Sequence, residues 1–182
     1  MALDYTLSLS NTNISEVFHF FDKLCKLNQT TILKEIKNNK EIIICDLFQE
    51  KGLVISIYKY PRIINFSNFN FVSDYSISFR LNKNKFDSNM LIPNMLEIIL
   101  MLIDSLPFAN YLFSFNGEIV ILYSEDSLIK LNNSSNFWTD KLKEKFKLFK
   151  HIIINDSSEI IMSKLDRMAQ RLTNGKFKRK IR

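Results

Sequence analysis

Residues 69–81 read Phe-Asn-Phe-Val-Ser-Asp-Tyr-Ser-Ile-Ser-Phe-Arg-Leu. Phe69, Phe71, Tyr75, Ile77, Phe79 and Leu81 fall at alternate positions, with Asn70, Asp74, Ser76, Ser78, Arg80 and Asn82 between them. Successive side chains of a strand point to opposite faces. This period of two therefore predicts a long strand with one apolar and one wet face. Ser73 and Val72 are the exceptions, one on each face. Leu3, Tyr5, Leu7 and Leu9 alternate in the same way with Asp4, Thr6, Ser8 and Ser10. They predict a second half-buried strand near the start.

Asn116-Gly117 lies between the apolar runs 108–115 and 118–123. An Asn-Gly pair between two such runs is a hairpin signal, because both turn residues need positive φ. Leu128 to Leu131 adds a third strand. Upstream, three more strands are expected at about 30–36, 42–48 and 53–60, with Lys51-Gly52 as the turn into the last. Pro61 should end that strand, since it cannot donate a ladder hydrogen bond.

Helices fill the gaps. Asn13 with Glu16 resembles a capping box. It opens a helix over 15–27 with Val17, Phe18, Phe21, Leu24 and Cys25 on one face. A second helix starts at Asp87 or Ser88, with Leu91, Met95, Ile98, Ile99, Leu102 and Leu106 as its core stripe. Its wet face is narrow, which predicts a largely buried helix or one that meets a partner. Pro93 is acceptable there only in the first turn, and Pro107 closes the helix. A third helix, 139–150, should bury Leu142, Phe146 and Phe149. A short strand at 151–154 and a last helix from Asp156 follow. Runs of consecutive strands with helices between them predict an α+β class: one domain over 1–175, an antiparallel sheet packed against helices. The end, 176–182 (KFKRKIR), reads as a basic flexible tail.

The composition agrees with a globular chain. It has 182 residues, 46% hydrophobic and 24% charged, enough for one sizeable core. The longest apolar run, 98–103, is far short of the roughly 18 residues of a membrane span. The start has no basic segment of a secretory signal. The expected location is cytoplasmic, with no membrane partner. The net charge of +6 is uneven: residues 1–150 hold 17 Lys and Arg against 16 Asp and Glu, and 151–182 hold 8 against 3. The high pI belongs to the end of the chain, so nucleic acid is disfavoured as the main partner.

No motif for phosphate cradling, acyl transfer or zinc hydrolysis occurs, and no cofactor or metal is expected. Two cysteines, Cys25 and Cys45, are too few for a disulfide framework or a zinc site. His19, Asp22 and Cys25 could activate a thiolate. Cys25 shares the apolar stripe, however, and reads as structural. Tyr58 and Tyr60 lie on the parity opposite Leu53, Ile55 and Ile57 and are surface candidates, with Arg62 beside them.

Several segments together resemble a known family. DYTLSL precedes a helix, SISFRLNK precedes the buried helix, and FNGEIVILYSEDSLIKLN leads to NFWT and another helix. This order, over about 3–149, is similar to the Sit-type immunity proteins of swarming-inhibition toxin systems. Phe79, Arg80 and Lys83 fall on its FRxxK part, Phe115, Asn116, Gly117 and Glu118 on FNGE, and Phe137 and Trp138 on its FW pair. The resemblance implies a small cytoplasmic protein of contact-dependent bacterial competition. Such a protein binds and neutralises the C-terminal domain of a cognate polymorphic toxin, stoichiometrically and without catalysis. It transfers no catalytic residue. Aromatic residues and Arg are the usual anchors of protein interfaces. The toxin-interface candidates are therefore Tyr58, Tyr60, Arg62, Arg80, Glu118 and Trp138. The alternatives are a nucleic-acid-binding or regulatory accessory protein using its basic end, and an enzyme whose site is assembled from scattered side chains.

Overall fold

The two alternating strands lie side by side at the centre of one sheet. The computed structural model describes residues 4–37, 40–65, 70–82, 84, 86–116, 119–125, 128–135, 137–146 and 152–155. The strands are β1 (Asp4–Ser10), β2 (Ile32–Lys37), β3 (Lys40–Leu47), β4 (Leu53–Asn65), β5 (Asn70–Leu81), β6 (Asn110–Phe115), β7 (Ile119–Glu125), β8 (Leu128–Asn132) and β9 (Ile152–Asn155). The helices are α1 (Ile14–Leu27), α2 (Ser88–Ser105) and α3 (Asp140–Phe146). The fold is α+β, as expected.

The sheet order is β2-β3-β4-β5-β1-β6-β7-β8-β9. Two meanders, β2 to β5 and β6 to β8, are joined by β1, which is antiparallel to β5 and to β6. The sheet departs from the antiparallel expectation at its end, where β9 is parallel to β8. The connection between them contains α3, and a parallel pair needs such a crossover.

Register explains the core. Ile43, Ile57, Ile77, Leu7, Phe113, Leu122 and Leu131 are paired in succession across seven strands. All seven are buried, in one cluster with Val17, Phe21 and Leu24 of α1, Met95, Ile99 and Leu102 of α2, and Leu142 and Phe146 of α3. This side of the sheet is therefore the helix-covered one. On α2 the expected stripe is buried except for the half-buried Leu106, and Leu96 and Leu100 beside it are buried too. Met90 and Met101 form part of the narrow exposed face.

Local chemistry sets the element ends. Glu16 N–H donates to Asn13 Oδ1 at 3.0 Å, and Asn13 N–H donates to Glu16 Oε2 at 3.3 Å. This capping box satisfies donors that the first turn of α1 leaves free. Thr12 Oγ1 donates to the same carboxylate at 2.8 Å. That bond, followed by the Asn13 backbone bond, lowers the Glu16 pKa. Gly52 has φ +72°, and a Cβ there would stand 2.6 Å from Leu91 Cδ2 and 2.7 Å from the Phe86 ring. Both the turn and the close approach of α2 require glycine. Cys25 of α1 and Cys45 of β3 form a disulfide, with Cα atoms 6.4 Å apart. Sequence spacing did not point to this pairing.

Two expectations about proline are corrected. Pro93 lies inside α2, beyond its first turn, and the helix continues to Ser105. Pro61 does not end β4, which runs to Asn65. The β4–β5 register shifts between Lys59 and Arg62, and a bulge is a place where a strand accommodates a residue without an N–H. Phe69, Phe149, the helix expected from Asp156 and the tail lie outside the described residues.

Candidate functional site

The row next to the core row lies on the other face. It runs Ile42, Tyr58, Ser76, Ser8, Leu112, Tyr123, Lys130, by the same pairings. The row beyond it runs Ile44, Ser56, Ser78, Thr6, Ser114, Val120. Small hydroxyl residues thus occupy the centre of this face, on the same strands that carry the core.

The continuation of β4 and β5 past the bulge covers part of this face. Ile64 and Phe71, cross-strand partners there, pack with Leu112 and Val120 into a second small core, with Tyr123 against it. Residues 62–65 of β4 and 70–73 of β5 therefore form an arm reaching from β5 over β1 to β6 and β7. Phe71 is buried as its alternation implied, but in this separate cluster. Ser8 and Ser76 are only 1% and 2% exposed. Between arm and sheet lies a cleft of ≈ 150 Å³ lined by Ser10, Asn70, Phe71, Val72, Asn110, Tyr123 and Ser124.

Arg62 stands where the arm crosses β1. Its Nη2 donates to Ser8 Oγ at 3.2 Å. Its Cζ lies 5.4 Å from the centroid of the Tyr60 ring, within cation–π range. The Tyr60 and Tyr58 rings are 6.4 Å apart and nearly perpendicular. The Arg62 Nε is buried and has no hydrogen-bond partner among the described residues. Desolvation lowers the Arg62 pKa, opposed by the Tyr60 and then the Tyr58 phenol. The charged form persists at neutral pH, because an arginine side chain is effectively always protonated.

The six sequence candidates separate. Tyr58, Tyr60 and Arg62 are brought together on this face, all half-buried. Arg80 is exposed on β5, opposite Val54 and Asp4. Glu118 lies outside the described residues, although Asn116 has the positive φ, 51°, expected of that turn. Trp138 is buried: its Nε1 donates to the Ile121 carbonyl at 3.1 Å, and its ring meets Phe137 and Phe146 edge-on at 5.0 Å. With Asn132 Nδ2 donating to the Val120 carbonyl at 2.7 Å, it holds β7 at the β6–β7 register shift. Phe79 is core, while Lys83 and Gly117 are outside the described residues.

The thiolate arrangement is not present. Cys25 is bridged to Cys45, His19 is exposed, and Asp22 accepts from Lys26 Nζ at 2.6 Å. No group of three His, Cys, Asp or Glu able to hold a metal occurs among the described residues. No helix among them is long and apolar enough to cross a membrane. A strand end at Pro61 leaves no place for the arm and the cleft, which depend on β4 continuing to Asn65. The signal was present in Leu112, an apolar residue off the core parity of β6; Val120 shares the parity of Leu122 and is turned to this face only by the β6–β7 register shift.

A family model described as SitI3-like matches residues 3–142, most of the chain. No curated protein and no solved structure matches.

Proposed function

The chain belongs to the SitI3-like family of toxin immunity proteins, and on that premise we propose that it neutralises one cognate toxin by binding its C-terminal domain, one to one, in the cytoplasm. The family match over residues 3–142 carries this reading. The sheet face bearing Tyr58, Tyr60 and Arg62 supports it. These residues serve neither the helix-packed core nor any motif of catalysis, and they are of the types that anchor protein interfaces. Arg80 extends the same surface. The body of the chain is nearly neutral, so recognition rests on local contacts more than on long-range steering. In this reading the protein protects its own cell during contact-dependent competition and catalyses nothing.

The test is dose. The full chain is titrated against the toxin domain that it protects from, measuring surviving toxin activity and complex formation together. Protection should saturate near one equivalent and track the complex. Protection far below one equivalent, with no complex at micromolar concentration, would overturn binding and favour an enzyme acting on the toxin or its target.

A further inference from the structure

We propose that Arg62 is an incomplete carboxylate receptor and that an Asp or Glu side chain of the toxin completes it. This rests on the toxin-binding reading above. The guanidinium is held between the Ser8 hydroxyl and the Tyr60 ring. Among the described residues it has no ion-pair partner: the three salt bridges there join Lys26 to Asp22, Lys34 to Glu41 and Lys51 to Glu97. Asp74 adjoins Ser73, the cross-strand partner of Arg62, yet forms no ion pair with it. The buried Nε has no acceptor among the described residues. A desolvated cation with unfilled donors is costly to keep, and an anion that fills them recovers that cost.

The residue type is informative. Residues 1–150 contain 17 Lys and Arg, of which Arg62 and Arg80 are the only arginines. Both lie on the surface proposed to bind the toxin, and residues 1–150 otherwise use Lys. Lys is a point charge on a flexible stem. Arg offers a rigid planar fork that matches the two oxygens of a carboxylate. Its neighbours on the sheet side, the bonded Ser8 and the cross-strand Ser73, are small, buried and uncharged. The Tyr58 and Tyr60 rings supply the apolar rim that keeps water from an ion pair formed there, the arrangement in which interface charges matter most. A purely structural brace between arm and sheet is the rival reading. It predicts no response to an added carboxylate.

The experiment has two arms. In the first, the full chain alone is titrated with sodium acetate against sodium chloride at constant ionic strength. The Arg62 Nε–H resonance and the melting temperature are followed. Acetate should shift the resonance saturably and raise the melting temperature, with neither effect in Arg62→Met. A response identical for chloride, or no response, overturns the proposal. In the second, affinity for the toxin domain is measured for wild type, Arg62→Met, Arg62→Lys and Lys26→Gln. Both Arg62 variants should lose tenfold or more, while Lys26→Gln matches wild type. Arg62→Lys serves if Arg62→Met does not fold. Wild-type affinity in both Arg62 variants overturns the carboxylate receptor and leaves immunity by binding intact. Saturable acetate binding by a chain that binds no toxin keeps the anion site and removes the immunity reading instead.

Discussion

Two rows of residues one position apart on the same strands have opposite chemistry. Leu7 and Ser8, Ile77 and Ser76, Ile57 and Tyr58 are chain neighbours. The first of each pair sits in a row of apolar side chains under three helices. The second sits on the far face, in a row that holds a serine pair, two tyrosines and a lysine. The helix-covered row supplies cohesion. The far row has small hydroxyls at its centre, which contribute little apolar area, and it receives an arm with its own minor core. In this fold the main burden of stability lies on the helix-covered face.

That contrast predicts a graded series. Phe113→Ala, at the centre of the helix-covered row, should cost about 3–5 kcal/mol, read by denaturant unfolding. A loss near 1 kcal/mol would break the claim that this row is the main core. Ile99→Ala, on the helix above it, should cost about 2–5 kcal/mol; an effect of a few tenths would take α2 off the sheet. Trp138→Phe keeps the ring and removes the donor to Ile121. It should cost about 1–3 kcal/mol, the penalty of an orphaned buried acceptor. It should leave toxin affinity nearly unchanged if Trp138 serves the fold alone.

Smaller effects sharpen the comparison. The folded-state pKa of Glu16 is lowered below its ordinary value near 4.5. Its contribution to stability is therefore full above that value and is lost as pH falls through the lower folded pKa. Wild type should melt higher than Glu16→Gln at neutral pH, and the gap should close on acidification. A gap that widens instead would show that the carboxylate does not hold the cap. On the far face, Arg80→Ala should change stability by less than about 0.5 kcal/mol. Its effect belongs in toxin affinity, and an unchanged affinity would confine the interface to the Tyr58–Arg62 side.

Much of the fold was legible because period-two alternation reports which face of a strand is buried. Tyr5, Leu7, Leu9, Ile77 and Phe79 were placed on that signal and are buried together. The α1 cap was legible because its residues are local, Asn13 to Glu16. What was not legible is what depends on distant partners. Alternation cannot say that β1 lies between β5 and β6, or that Cys25 meets Cys45. It also misjudged Pro61, because whether a strand ends or bulges at proline depends on what lies across it. The candidate surface was half legible: Tyr58 and Tyr60 face it by parity and Arg62 follows them in sequence, whereas Ser8, which accepts from Arg62, lies far away in sequence. Trp138 shows that an aromatic residue suited to an interface is equally suited to holding a carbonyl inside.

The position of β1 has a consequence for synthesis. The strand leaves the ribosome before either of its neighbours. Its partner positions on β5 begin at Tyr75, and those on β6 end at Phe115. At about 5–20 residues per second, β1 waits roughly 5–20 s for both edges to exist. Until β5 is made its apolar side has no sheet to join, and from then until β6 emerges β1 is itself the open edge of the half-built sheet. A chain that stalls between α2 and β6 would therefore expose a half-built sheet, the kind of edge that other nascent chains can extend. Slowing translation across residues 82–110 should lower the yield of folded protein more than slowing it after Asn132.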